Sequence, residues 1–375
     1  MSRRLSVLYV IDKLQRAGAQ IHLLHLVRGL DRSLFAPRVC CLLQGGPVAD
    51  EMRASGIDVH VLGLRTIYGP AAWRALPGLV RRIRAQTDIV HTYLVSANVY
   101  GTLAARLAGA PALVTSRRDT GFSRNWRLRL VEEWLVNPRV DRVVAVSPSA
   151  ARAALLEHGL DPRRVVTIPN GVDLLQYDPS RHSRPEARRR LGLVEGDSAV
   201  GVIAHLSPVK GHAELLEATA LLAPRWPRLK LMVVGDGLLR AALEAQARTL
   251  GIEDRVCFTG GRSDVADVLA ALDLVVLPSH TEGMSNALLE AMAMARPVVA
   301  TAVSGNQDLL EDGATALLVA PGDPAALAAA ILRLLENGEE AARLGGAARA
   351  RVQEDFGLDR MVARYAALYR ELVHA

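Results

Sequence analysis

The sequence predicts an α/β protein made of two doubly wound domains with parallel sheets. Short apolar runs rich in Val, Ile and Leu recur along the whole chain. They are continuous rather than alternating, which is typical of strands buried on both faces of a parallel sheet. Between them lie segments rich in Ala, Leu and Arg that are long enough to form helices. The two observations together predict repeated strand–helix–strand units.

The predicted strands form two sets. The first is Leu5–Ile11, Val39–Leu43, Ile57–Leu62, Asp88–His91, Pro111–Thr115, Arg142–Val146 and Val165–Ile168. The second is Ala199–His205, Leu229–Gly235, Arg255–Thr259, Asp273–Leu277, Pro297–Ala300 and Leu317–Val319. The clearest predicted helices are Ala71–Ala85, Leu94–Leu107, His212–Leu222, Leu238–Leu250 and Pro324–Leu335.

A polar, turn-forming stretch at 170–190 separates the two sets of strands. We therefore predict a first domain over 1–180 and a second over 181–355, with a C-terminal helix at 356–375 that returns to the first domain. In a pair of such domains the ligand is expected in the cleft between them, at the carboxyl ends of the strands.

Composition narrows the class of protein. Of the 375 residues half are apolar and 22% are charged, so a packed core is expected. The longest uncharged stretch, 89–105, is too short and too polar to span a bilayer. The first apolar run is too short for a signal peptide, and three cysteines are too few for a disulfide framework. The sequence thus predicts a reduced, cytoplasmic protein.

Charge is divided unevenly between the halves. Residues 1–190 hold 29 basic and 15 acidic side chains, a net charge of +14, whereas residues 191–375 hold 16 and 24, a net charge of −8. The two halves are therefore expected to face different partners. Nucleic acid is not expected among them, because no base-stacking motif occurs and the second half is acidic.

The strongest candidate site is the segment 278–300. A strand ends at Leu277, a loop carries Glu282 and Gly283, and Ser285 or Asn286 is placed to cap a helix. Two carboxylates eight residues apart are too distant to share a proton, but they could accept hydrogen bonds from both ends of one elongated ligand. The helix N-terminus between them would suit a diphosphate. The alternative is a loop acid at Glu282 and a solvated helix position at Glu290.

Three weaker patterns accompany it. Lys210 opens a helix after a strand and a short loop, where it could contact phosphate, although an exposed lysine is usually just solvated. Gly18 follows the first strand and would let the backbone approach a ligand, although a lone glycine is more often turn chemistry. Gly235 lies in a Gly-Asp-Gly turn between a strand and a helix, which is also a common connection.

In this order the patterns resemble glycosyltransferase family 4, a family of retaining enzymes with the GT-B fold. The resemblance rests on Glu282-x7-Glu290, LSPVKG at 206–211, VVGDG at 233–237, FTG at 258–260 and IPNGVD at 168–173. It covers nearly the whole chain. The implied fold is two Rossmann-like domains that face each other across a cleft.

The resemblance also implies roles. Glu290 would bind the ribose hydroxyls of a nucleoside diphosphate sugar, Glu282 the hydroxyls of the donor sugar, and Lys210 the leaving diphosphate. Phosphate and base contacts would come from a set of loop residues. These are Gly18, Ala19, Gly235, Arg262 (near the base), Gly283, Met284, Ser285 and Asn286.

Three positions depart from the family pattern. His205 stands five residues before the lysine, where many members carry Arg, and Arg118 best matches a position where many carry His near the reacting sugar. The loop Ala17-Gly18-Ala19 lacks the usual double glycine. His205 and Arg118 are thus the expected substitutes in catalysis. A charged His205 beside the diphosphate would strengthen donor binding as the pH falls.

No cofactor or metal is expected. The chain contains no Asp-x-Asp pair of the kind that holds a divalent cation in other transferases. The charge that develops on the leaving diphosphate would then be met by Lys210, helix termini and arginine. No side-chain nucleophile with its base is recognisable either, and the resemblance implies a front-face mechanism in which the leaving phosphate helps to deprotonate the acceptor.

The segment 117–139 combines six arginines with Phe122, Trp126 and Trp134. Trp126, Leu130 and Trp134 are i,i+4 neighbours on a helix, which suits contact with an anionic membrane surface. The alternative is an amphipathic helix packed on the first domain.

We therefore expect a metal-independent retaining transferase of the hexosyl or N-acetylhexosaminyl type. It would move a sugar from a nucleoside diphosphate, with UDP favoured, to a hydroxyl of a glycan or lipid-linked acceptor in surface polysaccharide, lipopolysaccharide or glycolipid synthesis. A peripheral location on the inner face of the cytoplasmic membrane is compatible with the basic first half. Two alternatives are a nucleotide-sugar 2-epimerase on the same fold and an inactive subunit that only binds nucleotide.

Overall fold

A computed structural model of the chain describes residues 3–118 and 130–374. The chain divides into two compact units, Met1–Gly171 with Leu358–Ala375, and Val172–Gly357. The chain thus passes from the first unit to the second after residue 171, earlier than the predicted boundary at 180. It returns to the first unit after residue 357, slightly later than the predicted boundary at 355. The two connecting segments are hydrogen-bonded to each other at the edge of the second unit, where the Val172 N–H donates to the Phe356 carbonyl at 2.9 Å.

The first unit contains a seven-stranded, fully parallel sheet with the order β3-β2-β1-β4-β5-β6-β7. Its strands are β1 (Leu5–Ile11), β2 (Phe35–Cys41), β3 (Asp58–Val61), β4 (Ile89–Tyr93), β5 (Ala112–Arg117), β6 (Arg142–Ala145) and β7 (Val165–Thr167). Its helices in the described ranges are α1 (Gly18–Gly29), α2 (Pro47–Ala54), α3 (Pro70–Gln86), α4 (Val95–Ala108), α5 (Pro148–His158) and α14 (Leu358–His374). A π-helical turn covers Glu132–Val136.

The second unit contains a six-stranded parallel sheet with the order β10-β9-β8-β11-β12-β13. Its strands are β8 (Ser198–Ile203), β9 (Leu229–Val234), β10 (Val256–Gly260), β11 (Leu274–Leu277), β12 (Val298–Thr301) and β13 (Leu317–Val319). Its helices are α6 (Arg184–Arg190), α7 (His212–Leu222), α8 (Arg240–Thr249), α9 (Val265–Ala271), α10 (Asn286–Ala293), α11 (Ser304–Gln307), α12 (Pro324–Glu336) and α13 (Gly338–Asp355).

The central strands of both sheets are buried on both faces, as the continuous apolar runs predicted. Along β1, Tyr9 and Ile11 face one hydrophobic cluster while Leu8 and Val10 face the other. In each sheet the strand order reverses once, between β1 and β4 in the first unit and between β8 and β11 in the second. Such reversals leave a crevice at the carboxyl ends of the strands, which is where doubly wound sheets bind ligands.

The C-terminal helix α14 belongs to the first unit. Its Tyr365 and Tyr369 are fully buried beside Tyr9 of β1 and His91 of β4. The His91 ring is hydrogen-bonded to Tyr369 Oη at 2.7 Å and to Ser116 Oγ at 2.9 Å. Burial lowers the pKa of His91 to about 3, so this histidine is a neutral part of the core. Within the described ranges, no helix is both long and apolar enough to span a membrane.

Candidate functional site

The candidate site of the second unit is an ion pair at the reversal between β8 and β11. The Lys210 ammonium donates to Glu282 Oε1 at 2.6 Å, and Ser279 Oγ donates to the same oxygen at 2.8 Å. Glu282 is only 9% exposed, whereas Lys210 is half-buried. An ammonium carries three N–H donors, so Lys210 keeps donors for a ligand. Among the described residues both bonds end on Oε1, which leaves Oε2 as an acceptor.

Backbone contacts hold the two loops of this pair together. The His280 N–H donates to the Val209 carbonyl at 2.9 Å. Gly211 has a φ of +66°, and a Cβ at this position would lie 2.0 Å from the Pro278 carbonyl oxygen. A Cβ on Gly305 would lie 2.3 Å from the Glu282 carbonyl oxygen. Since no side chain fits at either glycine, the backbones pack directly against each other. This packing fixes the backbone positions from which the Lys210 and Glu282 side chains extend.

Helix α10 begins directly after these loops. The cap predicted at Ser285 or Asn286 is Ser285, whose Oγ accepts from the Leu288 N–H at 3.3 Å. Glu282 lies in the loop rather than on the helix, so the eight-residue spacing to Glu290 is not a helical distance. Met284 and Ser285 are buried and Asn286 is half-buried. The positive end of the α10 dipole therefore lies next in the chain to the loop that carries Glu282.

Glu290 lies on α10 with its side chain half-buried. Burial raises the pKa of this carboxyl to about 7, and a hydrogen bond from Tyr177 opposes the increase. A ligand hydroxyl that donated to the carboxylate would favour its ionised form. Glu290 is thus not a solvated helix position, and its charge depends on what it contacts.

The Gly-Asp-Gly turn after β9 packs on the segment that follows β8. A Cβ on Gly235 would lie 1.9 Å from the Ala204 carbonyl oxygen, and one on Gly237 would lie 2.4 Å from that of Leu206. Both glycines are therefore required for close approach of two backbones. The guanidinium of Arg262 donates twice to Asp264, at 2.9 and 2.5 Å, so Arg262 is held in place by its own loop.

His205 is exposed at the end of β8, and its carbonyl accepts from the Ser207 N–H at 2.9 Å. The adjacent His212 on α7 is buried, and burial lowers its pKa to about 4. Lys210 and His205 contribute to this lowering of the pKa, so both lie close enough to His212 to act on it electrostatically. His280 instead pairs with Glu214, at 2.9 Å.

The other predicted residues lie in the first unit. Helix α1 begins at Gly18, and Ala17 before it supplies no side-chain cap. Arg118 follows β5, donates to Asn170 Oδ1 at 2.6 Å and lies 5.9 Å from the centre of the Tyr93 ring. Burial lowers the pKa of Arg118. Its partner Asn170 comes from the IPNGVD motif, so two motifs of the sequence meet here.

Residues 119–129, including Phe122 and Trp126, lie outside the described part of the chain. Next to them, Trp134 is 77% exposed, as a surface role requires. Arg117, however, is buried in an ion pair with Glu132 and donates to Asn137 Oδ1 at 2.9 Å. Arg117 therefore adds nothing to a basic surface of this segment, because its charge is neutralised inside the unit.

Within the second unit the structure joins Lys210 directly to Glu282 and places α10, with Glu290, next in the chain. Gly18, Ala19 and Arg118 belong to the first unit. Ser279 and Tyr177, which bind the two glutamates, were not found from the sequence, because a serine in a loop and a tyrosine in a linker are common. Gly211 could have been suspected from its place between a lysine and a helix start. Among residues 3–118 and 130–374 no cluster of three or more His, Cys, Asp or Glu side chains could hold a metal ion.

Two family models match the chain. The model described as Glycosyltransferase Family 4 matches residues 16–175, and that described as Glycosyl transferases group 1 matches residues 183–351. Together they cover both units of the structure.

Relatives of known name support the same assignment. The chain is 33% identical over 335 residues to D-inositol 3-phosphate glycosyltransferase of Geodermatophilus obscurus, covering 82% of this chain and 73% of the relative. It is 28% identical to UDP-Gal:alpha-D-GlcNAc-diphosphoundecaprenol alpha-1,3-galactosyltransferase of Escherichia coli, covering 78% and 79%. Among solved structures, Anabaena Alr3699/HepE in complex with UDP and glucose has a TM-score of 0.88 at 25% identity, covering 98% of this chain and 100% of that one.

Proposed function

The chain belongs to glycosyltransferase family 4 and has the GT-B fold, and on that premise we propose that it is a retaining transferase that uses a UDP-sugar. The observation that carries the proposal is the Lys210–Glu282 pair at the strand-order reversal of the second sheet. A fixed cation, a buried carboxylate and a helix N-terminus are the groups that a diphosphate and a sugar require. The choice of UDP is supported by the structural neighbour, which binds UDP and glucose.

In the proposed donor complex Lys210 neutralises the diphosphate with the N–H donors that Glu282 does not occupy. Backbone N–H groups from Gly283 to Asn286 complete the phosphate site, and Glu282 Oε2 accepts from a hydroxyl of the donor sugar. Glu290 accepts from the ribose hydroxyls. Gly235 keeps its turn close to the Ala204–Leu206 backbone, and Arg262, fixed by Asp264, lies near the base.

In the proposed reaction the anomeric carbon of the donor sugar changes its bond from the diphosphate oxygen to the acceptor oxygen. The bond to the leaving diphosphate breaks, the acceptor oxygen bonds on the same face, and the acceptor proton passes to the leaving phosphate oxygen. Charge builds up on the diphosphate, so Lys210 and the α10 N-terminus lower the barrier most when they bind that charge more tightly in the transition state than in the ground state. His205 and Arg118 would add positive charge. The proposed mechanism requires no metal and no cofactor.

The first unit would hold the acceptor, a glycan or a lipid-linked sugar of a hexosyl or N-acetylhexosaminyl transfer. The name of the Escherichia coli relative includes a diphosphoundecaprenol-linked acceptor, which favours surface polysaccharide or glycolipid synthesis as the setting. Exposed Tyr68, Trp73 and Trp134 and the net positive charge of the first half suit peripheral contact with the inner face of an anionic cytoplasmic membrane.

The test of this proposal is product analysis. Purified protein is incubated with UDP-glucose, UDP-galactose or UDP-N-acetylglucosamine and an acceptor, either inositol 3-phosphate or farnesyl-diphosphate-linked N-acetylglucosamine. The reaction is run with and without chelator and followed by proton NMR. The proposal expects UDP release with a new α-glycoside from an α-linked donor, in the presence of chelator as well. Conversion of the donor into its 2-epimer, nucleotide binding without turnover, or a β-linked product would each overturn it.

A further inference from the structure

A cavity of about 450 Å³ opens in the first unit at the carboxyl ends of β1, β2 and β3. Its lining includes Lys13 after β1, Gln44 and Gly45 after β2, and Gly63 and Arg65 after β3. The volume lies within the range of small-molecule sites, and the carboxyl end of a parallel sheet is the edge at which doubly wound domains bind ligands.

The rim of the cavity is fixed by backbone hydrogen bonds that continue the sheet beyond its strands. The Leu14 N–H donates to the Gln44 carbonyl at 3.0 Å, and the Leu64 N–H donates to that of Leu42 at 3.0 Å. The carbonyl of Lys13 accepts from the Gln20 side chain of α1 at 3.3 Å. Gly63 takes a φ of +66°, which turns the chain sharply after β3. Lys13 and Arg65 are thus attached to rigid backbone.

Among the described residues, neither cation of this lining forms an ion pair. Both Lys13 and Arg65 are exposed, and no acidic side chain of the described residues lies within 4.0 Å of either head group. Other arginines of the same region are neutralised: Arg16 pairs with Glu51, and Arg53 with Asp50 at 2.9 Å.

The carboxyl group beside Lys13 in the chain is also engaged. Asp12 Oδ1 accepts from the Ala97 N–H at the start of α4, at 2.6 Å. Asp12 therefore caps a helix instead of pairing with the lysine. Two cations on a held backbone, the Gln44 amide and glycine backbone surround one cavity, which suits a phosphate group.

We propose that this cavity binds a phosphate or diphosphate carried by the acceptor, held by Lys13 and Arg65. The inference rests on the proposed function and names its acceptor class: a phosphorylated sugar or polyol, or a sugar on a lipid diphosphate. Both sources present the same anion to the same two side chains.

The scarcity of lysine permits a direct test, because the chain has only Lys13, Lys210 and Lys230. Acylation of each lysine is quantified by mass spectrometry in the full-length protein with saturating UDP. The probes are inositol 3-phosphate against inositol, and farnesyl-diphosphate-linked N-acetylglucosamine against octyl N-acetylglucosaminide. The phosphorylated member of at least one pair should slow acylation of Lys13 several-fold, while its partner does not. Protection by the inositol ester identifies a soluble acceptor class, and protection by the diphosphate a lipid-linked one.

Variants complete the test. Arg65→Gln should remove most of the protection of Lys13 and weaken the binding of the protecting probe at least about tenfold. Arg364→Gln, an exposed arginine on α14 outside the cavity, should change neither. Equal protection by phosphorylated and unphosphorylated probes, or none by either, would overturn the inference, as would protection of Lys13 by UDP alone. Failure of UDP to protect Lys210 would instead contradict the proposed donor site.

Discussion

We predict that Glu290 makes donor binding depend on pH. Its pKa is raised to about 7 by burial, so near neutrality part of the protein carries it protonated and unable to accept two hydroxyl hydrogen bonds. Ribose binding would favour the carboxylate and release a proton. We predict that UDP affinity falls as the pH is lowered from about 8 to 6 and that proton release accompanies binding below pH 7, measured by calorimetry in buffers of different ionisation enthalpy.

Two variants distinguish the pH dependence caused by Glu290 from that caused by His205. Tyr177→Phe removes the hydrogen bond that lowers the pKa of Glu290, so it should move the fall in affinity to higher pH. A charged His205 beside the diphosphate would act in the opposite direction, and His205→Arg removes that contribution. A wild-type affinity that rises steadily toward pH 6 would contradict the role given to Glu290.

The same carboxyl predicts a stability change. A group whose folded-state pKa is raised binds protons more readily when folded, so it favours folding at low pH and loses that advantage as the pH rises through its unfolded and then its folded pKa. Between pH 5 and pH 7.5 the wild type should therefore lose stability relative to Glu290→Gln, in urea unfolding without ligand. A stability difference independent of pH would contradict the raised pKa.

Lys210 is predicted to recognise the diphosphate through charge. Lys210→Gln should weaken UDP binding by about tenfold to a hundredfold, the effect of one charge-assisted hydrogen bond worth about 1.5–3 kcal/mol. Lys230→Gln is the matched control, since Lys230 lies in the same unit and donates to the Asp254 carbonyl at 3.0 Å. Equal effects of the two substitutions would place the diphosphate elsewhere.

At the scale of elements, Gly211 holds the Lys210 loop against the β11 loop. Gly211→Ala should lower the melting temperature and UDP affinity together, because its Cβ would lie 2.0 Å from the Pro278 carbonyl oxygen. Gly251→Ala is the matched control, with the same φ of +66° and no atom within 4 Å of the added Cβ. Its cost is the left-handed strain alone, about 1–2 kcal/mol. If both variants unfold alike and bind UDP alike, the loop contact does not position Lys210.

The same elements show what the sequence could reveal. All the predicted strands are present, because strands buried on both faces leave continuous apolar runs. The prediction began β2 at Val39, whereas it begins at Phe35, since Pro37 and Arg38 interrupt the apolar run but still pair with Val7 and Leu8 of β1. Pairing with β1 outweighs the local composition at these residues, and a single sequence does not show which strands will pair.

The site was less accessible from the sequence. Glu282, Lys210 and Glu290 were found because motifs mark them. The Ser279 and Tyr177 contacts that orient the two glutamates depend on how loops fold back, and no spacing encodes that. The lack of room for a side chain at Gly211 likewise comes from the Pro278 carbonyl, which lies far away in sequence.

For the whole molecule, the division of charge predicts binding to anionic membranes through the first unit. Wild-type protein should co-sediment with vesicles containing phosphatidylglycerol, less with neutral vesicles, and less as salt is added. Trp134→Ala should weaken this binding several-fold because an exposed indole suits the interface. Leu238→Ala, a fully exposed apolar residue of the second unit, is the control. Equal, salt-insensitive binding to both vesicle types would contradict the prediction.

The central claim is that the second unit recognises a nucleoside diphosphate with Glu290 on the ribose and Lys210 on the diphosphate. Calorimetric titration of UDP and of uridine into the wild type, Glu290→Gln and Lys210→Gln tests it most directly. We predict that the wild type prefers UDP over uridine at least about tenfold and that Glu290→Gln weakens the binding of both ligands. Lys210→Gln should reduce the preference about tenfold or more while leaving uridine binding unchanged. A Lys210→Gln variant that keeps the full preference for UDP, or a wild type that binds neither ligand, would contradict the account.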